Sequence, residues 1–240
     1  MLWVPLVSFD PRPAAARYTL DLLLASDLAA GAKGNRDWTS VLRRIRRPLT
    51  VGSPRSTLEF RVLADDLTLI TRLEPALAAG EFVSVAEYFE VDVDSSLDVP
   101  GPAAPAYAAD GTFWAEGLCV ARHPQLAADA PRLRAARTIA AEVAEAGGIA
   151  VRVRDSRITS AVCGGRERAP ALAECAGDSA ARLVEFSFGT NAGILGALDW
   201  NVNSQLNEGV DGVHIGLGDG VSGAHIDFVL PGARIEFAGT

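Results

Sequence analysis

Cysteine is scarce in this chain. Cys119, Cys163 and Cys175 are the only three, none belongs to a C-x-x-C pair, and the odd count indicates neither a disulfide framework nor a zinc knuckle. Lysine is scarcer still: Lys33 stands alone and arginine supplies every other basic side chain. With the abundant alanine, that usage reads as codon bias. Basic residues are outnumbered, 22 against 30 acids for a net charge of −8, which argues against a nucleic acid or an anionic membrane as partner. No apolar run approaches the length of a membrane span. The opening Met-Leu-Trp-Val-Pro-Leu-Val lacks a basic lead and has too short an apolar stretch for a signal peptide. A soluble, cytoplasmic protein is the expectation.

What is present is ample apolar material. With 49% hydrophobic residues among 240, the chain can bury a sizeable core. Residues 1–55 read differently from 56–240, as a short N-terminal α/β segment before a strand-rich domain. An apolar strand over Leu2–Val7 leads into an amphipathic helix over Ala14–Ala30, ended near Gly31, and a second helix covers Trp38–Arg46. From Thr57 the pattern alternates: a strand through Val62, a turn at Ala64-Asp65-Asp66, a return over Leu67–Leu73, and extended chain over Phe82–Val93. Pro100–Pro105 forms a loop. Pro131 opens a helix that runs to Ala146 and stops at Gly147-Gly148. Strands follow at Ile149–Arg154, Leu183–Phe188, Val213–Leu217, Ala224–Leu230 and Arg234–Ala238. The class is α+β: a mostly antiparallel β domain with a few helices.

The densest chemistry lies near the C-terminus, where His225-Ile226-Asp227 follows His214. Asp219-Gly220 suits a two-residue hairpin turn, which would set His214 opposite His225 and Gly212 opposite Asp227. Strand alternation puts His214, Gly216, His225 and Asp227 on one face and Val213, Ile215, Leu217, Ile226 and Phe228 on the other. Two imidazoles and a carboxylate on one face outline a metal site. Glu185, on the strand face opposite Val184, Phe186 and Phe188, is balanced between a solvated face and a ligand. Glu90, Asp92 and Asp94 alternate with valines but lack a calcium-loop glycine, so they read as a solvated edge. Gly218-Asp219-Gly220-Val221-Ser222-Gly223 matches G-x-G-x-x-G literally, yet no helix follows to hold a pyrophosphate, and the glycines read as turn chemistry.

Three C-terminal segments, Glu185-Phe-Ser-Phe-Gly-Thr-Asn191, Asn207-Glu-Gly-Val-Asp-Gly-Val-His-Ile-Gly-Leu-Gly218 and His225-Ile-Asp227, resemble the metal-binding end of the M29 (aminopeptidase T/S) metallopeptidases. Ala79-Gly80-Glu81-Phe82-Val83 is similar to that family's Pro-x-Gly-Glu-Val segment, and Ser56–Phe60 to the strand before it. The resemblance spans residues 56–240. It implies a shortened hydrolytic domain with Glu81, Glu185, His214, His225 and Asp227 as ligands for zinc or another divalent metal. It leaves open one ion, two or none. Two such ions would polarise a carbonyl and acidify a bridging water.

Two departures weigh against catalysis. The family's tyrosine position, seven past the first histidine, is Val221 here, and a lost oxyanion donor typically costs about a hundred- to a thousandfold in rate. The family's substantial N-terminal domain is matched only by unlike sequence. The implied function is a peptide-binding protein with weak or absent catalysis, taking a peptide or precursor peptide. It would form a homodimer, or a heterodimer with a related protein. The alternative is a metal-dependent aminopeptidase that uses all five ligands and releases N-terminal residues, with Tyr88 and Tyr107 as candidates to replace the missing hydroxyl.

Overall fold

The computed structural model describes residues 1–65, 67–94, 106–178 and 181–237. Asp66 of the expected turn, the loop at 100–105 and residue 238 lie outside them. The chain opens with β1 (Leu2–Trp3) and two helices, α1 (Pro13–Ala25) and α2 (Leu28–Arg44). Strands β2 (Leu49–Ser53), β3 (Ser56–Val62), β4 (Leu69–Ile70), β5 (Val83–Ser84) and β6 (Glu90–Asp94) follow. Next come β7 (Tyr107–Ala115), β8 (Gly117–Ala121), α3 (Pro131–Ala146), β9 (Ile149–Arg154), β10 (Arg157–Cys163), β11 (Arg166–Glu167) and α4 (Ala169–Ala176). The chain closes with β12 (Leu183–Gly189), β13 (Gly212–Leu217), β14 (His225–Pro231) and β15 (Arg234–Phe237).

The strands form a seven-stranded sheet, β11-β10-β9-β7-β3-β2-β15, and a six-stranded sheet, β4-β6-β12-β13-β14-β8. Every pairing within both is antiparallel; the parallel pair β1–β5 stands apart. The class is therefore α+β as the patterning indicated. The sheets meet face to face through aromatic pairs. Phe60 of β3 lies 4.2 Å from Phe186 of β12, and Phe113 of β7 lies 5.7 Å from Phe228 of β14, between ring centroids. Val213, Ile215, Leu217, Ile226 and Phe228 are all buried in this core, which leaves the opposite face of β12–β14 for polar side chains.

Several elements differ from expectation, each for a local reason. The apolar start shrinks to Leu2–Trp3 because Pro5 breaks it. The helix expected over Ala14–Ala30 is two helices. Ser26 Oγ donates to the Leu22 carbonyl at 2.7 Å, and Asp27 Oδ1 accepts from the Ala29 and Ala30 amides at 2.9 and 3.0 Å, capping α2. Gly31 is not a stop but lies inside α2, where a Cβ would meet the Tyr88 carbonyl oxygen at 2.6 Å and the Phe89 ring at 2.8 Å. The return strand over Leu67–Leu73 is realised only at Leu69–Ile70, and it pairs with β6 instead of β3. By contrast α3 starts at Pro131 and ends at Gly147, whose φ of 72° is the left-handed cap glycine permits.

Strand β8 is a sheet edge. The Asn203 amide engages it as a partner strand would: Oδ1 accepts from the Val120 amide at 2.8 Å and Nδ2 donates to the Val120 carbonyl at 2.7 Å. The Arg122 amide donates to the Ser8 carbonyl at 3.2 Å. All three cysteines are free and buried. Among the described residues no helix is long and apolar enough to cross a membrane.

The tight seat of Gly31 gives a direct expectation. Gly31→Ala gains about 1 kcal/mol of helix propensity but forces a methyl into backbone and ring, a misfit worth about 1–3 kcal/mol. The variant should unfold at lower urea concentration than the parent. A midpoint at or above the parental one would contradict the packing described.

Candidate functional site

Cross-strand register builds the site as two adjacent rows. In the first, Asp92 of β6 faces Ser187 of β12, which faces His214 of β13. In the second, Glu185 of β12 faces Gly216 of β13, which faces Asp227 of β14. His225 enters from the start of β14. The hairpin differs from the two-residue turn expected at Asp219-Gly220: His214 faces Val229, not His225, and Gly216 rather than Gly212 faces Asp227. The loop is longer because Asp219 folds it on itself, Oδ1 accepting from the Val221 and Ser222 amides at 2.8 and 2.7 Å. The partner of His214 moves by four residues, an even number, so no side chain changes face.

Gly216 makes the room. A Cβ there would sit 2.8 Å from both Glu185 Cβ and His225 Cε1. Into that space come the two rings and the two acids. His214 Nε2 lies 2.8 Å from Glu185 Oε1. His225 Nε2 lies 3.0 Å from Glu185 Oε2 and 2.8 Å from Asp227 Oδ1. Glu185, His214 and Asp227 offer ligand atoms that all lie within 4.8 Å of one another. His214 and Asp227 are buried, with side chains 1% and 2% exposed, whereas Glu185 and His225 keep 20% and 21%. The cluster opens to solvent through those two.

The second ring nitrogens are tied back. His214 Nδ1 lies 3.0 Å from the Glu208 carbonyl oxygen and His225 Nδ1 lies 2.6 Å from that of Gly218. A carbonyl only accepts, so Nδ1 carries the proton in each ring and Nε2 faces the carboxylates. A neutral imidazole would then turn a lone pair toward carboxylate oxygens, which is repulsive unless a proton or a metal cation lies between them. This is the outer support that metal-ligating histidines use.

Three acids outside the expected ligand set complete the surroundings. Glu90 Oε2 is 3.9 Å from His214 Nε2, Asp92 shares the first row, and Glu208 follows Asn207 in a buried turn. The solvated-edge expectation for Glu90 and Asp92 is thus overturned: β6 is flanked by β4 and β12, and its polar face turns into the site. Asp94 forms a backbone pair with Glu185. Ser187 Oγ donates to Glu185 Oε1 at 2.9 Å. Oxygens of Glu90, Asp92 and Glu208 are buried without a hydrogen-bond partner, the donor surplus that a divalent cation satisfies. Two imidazole nitrogens with carboxylate oxygens suit zinc.

Glu81 is not brought to the cluster. Its carboxylate receives the Arg72 guanidinium at 2.5 and 3.0 Å and the Ala78 amide at 2.7 Å. A turn glutamate beside an arginine finds the nearer cation. Val221 is 43% exposed on the hairpin loop. Tyr88 Oη donates to the Pro75 carbonyl at 3.4 Å. Tyr107 is buried between Phe60 and Phe186 with its hydroxyl unpaired. Burial, reinforced by the charges of Glu185 and Asp92, pushes its phenol well up.

The charges of the cluster are strongly interdependent. Burial opposes the His214 cation, but Glu185, Glu90 and Asp227 outweigh it and raise the imidazole to about 10. His225 is likewise raised well above the usual range, with Asp227 and Glu185 overcoming burial. Burial works against the Glu185 anion too, yet the two histidines hold its carboxyl well below the ordinary value. Burial pushes Glu90 up to about 7, and Glu208 and Asp92 well up, with neighbouring acids adding to each.

The chain belongs to the family described as crocagin biosynthetic protein CgnE/B, whose model matches residues 1–238. No curated protein matches it. Two solved structures are similar at low identity. The first, 2,5-dihydroxypyridine dioxygenase from Pseudomonas putida KT2440, shows a TM-score of 0.48 and 13% identity, covering 94% of this chain and 59% of that one. The second, wild-type AmpT from Thermus thermophilus, shows a TM-score of 0.47 and 14% identity, covering 89% of this chain and 51% of that one. The chain therefore spans between half and three-fifths of either.

The His214 shift has a definite sign. Its folded value of about 10 exceeds the unfolded value of about 6.5, so its stabilisation is complete below about 6.5 and lost as pH rises through 10. In chelator-treated protein, a nitrogen-15 NMR titration should show His214 as imidazolium at pH 8. Glu185→Gln should move its midpoint down toward 6.5. A parental midpoint already near 6.5 would refute the coupling.

Proposed function

We propose that the chain is a peptide-binding protein of the M29-like kind, with Glu185, His214, His225 and Asp227 as the receiving site and little or no turnover of what it holds. The observation that carries the reading is the convergence of two imidazoles and two carboxylates on three adjacent strands, beside a loop whose Val221 offers no hydroxyl. The cluster supplies a charge trap: surplus buried acid oxygens favour a cation, and a peptide's free amine is one. Zinc or another divalent metal would be held by the same four residues, with Glu90 closest behind them. Such an ion would supply Lewis acidity toward a peptide carbonyl. The chain's own groups orient the rings, through the Glu208 and Gly218 carbonyls, and fix the Glu185 oxygens between them.

The second reading, a metal-dependent aminopeptidase, is favoured by the unpartnered oxygens of Glu90 and Glu208, which a second ion would satisfy. Self-association, as a homodimer or with a related chain, belongs to the proposal as well. Trp3 and Phe82 stack on one another at 5.8 Å, with Phe82 61% exposed. That aromatic surface would be covered in such a pair.

One set of measurements separates these readings. The purified protein is analysed for metal, titrated calorimetrically with a peptide library, and assayed for release of N-terminal residues with added zinc or cobalt. Peptide binding with turnover at least a hundredfold below a competent aminopeptidase is expected. Brisk metal-dependent turnover, abolished in His225→Ala, would establish the second reading instead. Gly216→Ala, whose methyl displaces the His225 ring, should weaken zinc uptake about tenfold or more with unchanged circular dichroism, since one well-placed ligand is worth at least about 1.4 kcal/mol. Unaltered uptake would remove the site from the proposal.

A further inference from the structure

A cavity of about 470 Å³ lies at the β8 edge, between α3 and the loops at 9–12 and 200–203. Its volume is that of a small-ligand pocket. Ala140, Ala141 and Trp200 give it an apolar lining, and the buried Leu118 and Val120 of β8 border it, their side chains on the face of β8 opposite Cys119 and the cluster. The Trp200 ring lies flat on Gly117, where a Cβ would come within 2.0 Å of it. Any side chain at 117 would evict the indole, so the ring is seated by the backbone.

The charge in this cavity is incomplete. Asp10 is its one acid, and Arg12 already holds it through Nε and Nη2 at 2.6–3.0 Å. Arg137, half-buried, donates to the Phe9 carbonyl at 2.9 Å. Among the described residues no carboxylate lies within ion-pair distance of it. Two arginines and one aspartate give the lining an excess positive charge in a chain of net −8. Burial, the leading cause, lowers the Arg137 guanidinium from its usual range, as expected of a cation short of counter-charge.

We infer that this cavity binds the carboxyl-terminal apolar residue of a peptide, with the carboxylate on Arg137 and the side chain against Ala140, Ala141 and Trp200. A guanidinium fork matches a carboxylate's two oxygens, and one such cation against an apolar lining suits a monoanion with a hydrophobic body better than a phosphate. The identity of the occupant rests on the peptide-binding reading; the pocket itself is independent of the acid–imidazole cluster.

The test uses N-acetyl-phenylalanine and its carboxamide as probes, followed by NMR titration of the intact protein. The acid should bind at least about tenfold more tightly than the amide, the usual scale of one charge-assisted contact. Arg137→Met should weaken acid binding about tenfold or more. Ala140→Leu, which fills the cavity and leaves the cation in place, should also weaken it, so that either variant suffices if the other misfolds. His225→Ala should leave acid binding unchanged. Equal affinity for acid and amide, or wild-type affinity in a folded Arg137→Met, would overturn the assignment, as would no binding of the acid by the parent protein. Acid binding that persists while no longer peptide is retained would sustain the pocket and sink the peptide-binding reading.

Discussion

Antiparallel register across β6, β12, β13 and β14 is the constraint on which the candidate site depends. Because side chains alternate along each strand, one choice of register simultaneously sends Phe186, Phe188, Ile215 and Phe228 into the core and Asp92, Glu185, His214 and Asp227 to the opposite face. A slip by one residue would bury the acids among the phenylalanines and expose the rings. The aromatic contacts between the two sheets therefore do more than stabilise the sandwich. They hold the polar rows in line.

The polar rows strain the fold that carries them. Five carboxylates and two imidazoles share a largely buried volume, and burial disfavours each charge on its own. The structure tolerates this by mutual compensation, with both histidines charged against Glu185 and Asp227, while Glu90, Asp92 and Glu208 are pushed toward their neutral forms. Such groups are kept where they serve a purpose, because an apolar replacement of equal volume is often no less stable.

Much of the framework was legible in the sequence, and what was not has physical causes. Helix α3 announced both its ends, through Pro131 and Gly147, because each signal is local. The face of His214, His225 and Asp227 was readable from a period of two, even though the turn was misjudged. Asp219 looked like half of a tight turn and instead hydrogen-bonds within a longer loop. Glu90 and Asp92 were misread because alternation shows that acids share a face without revealing whether that face meets water. Whether β6 has neighbours on both sides depends on β4 and β12, one of them more than ninety residues away in the chain. Glu81 was misplaced because a loosely matched segment could not reveal Arg72 beside it. The cavity around Arg137 had no signature at all, since it joins a helix, an edge strand and two loops.

The side chain of Asn203 has a wider consequence. By answering the Val120 amide and carbonyl, with Ser8 taking the next exposed amide at Arg122, it blocks the β8 rim of the six-stranded sheet to an incoming β-segment. A guest chain cannot enlist there as an extra strand. The same closure denies the protein a route to open-ended stacking with copies of itself along that rim.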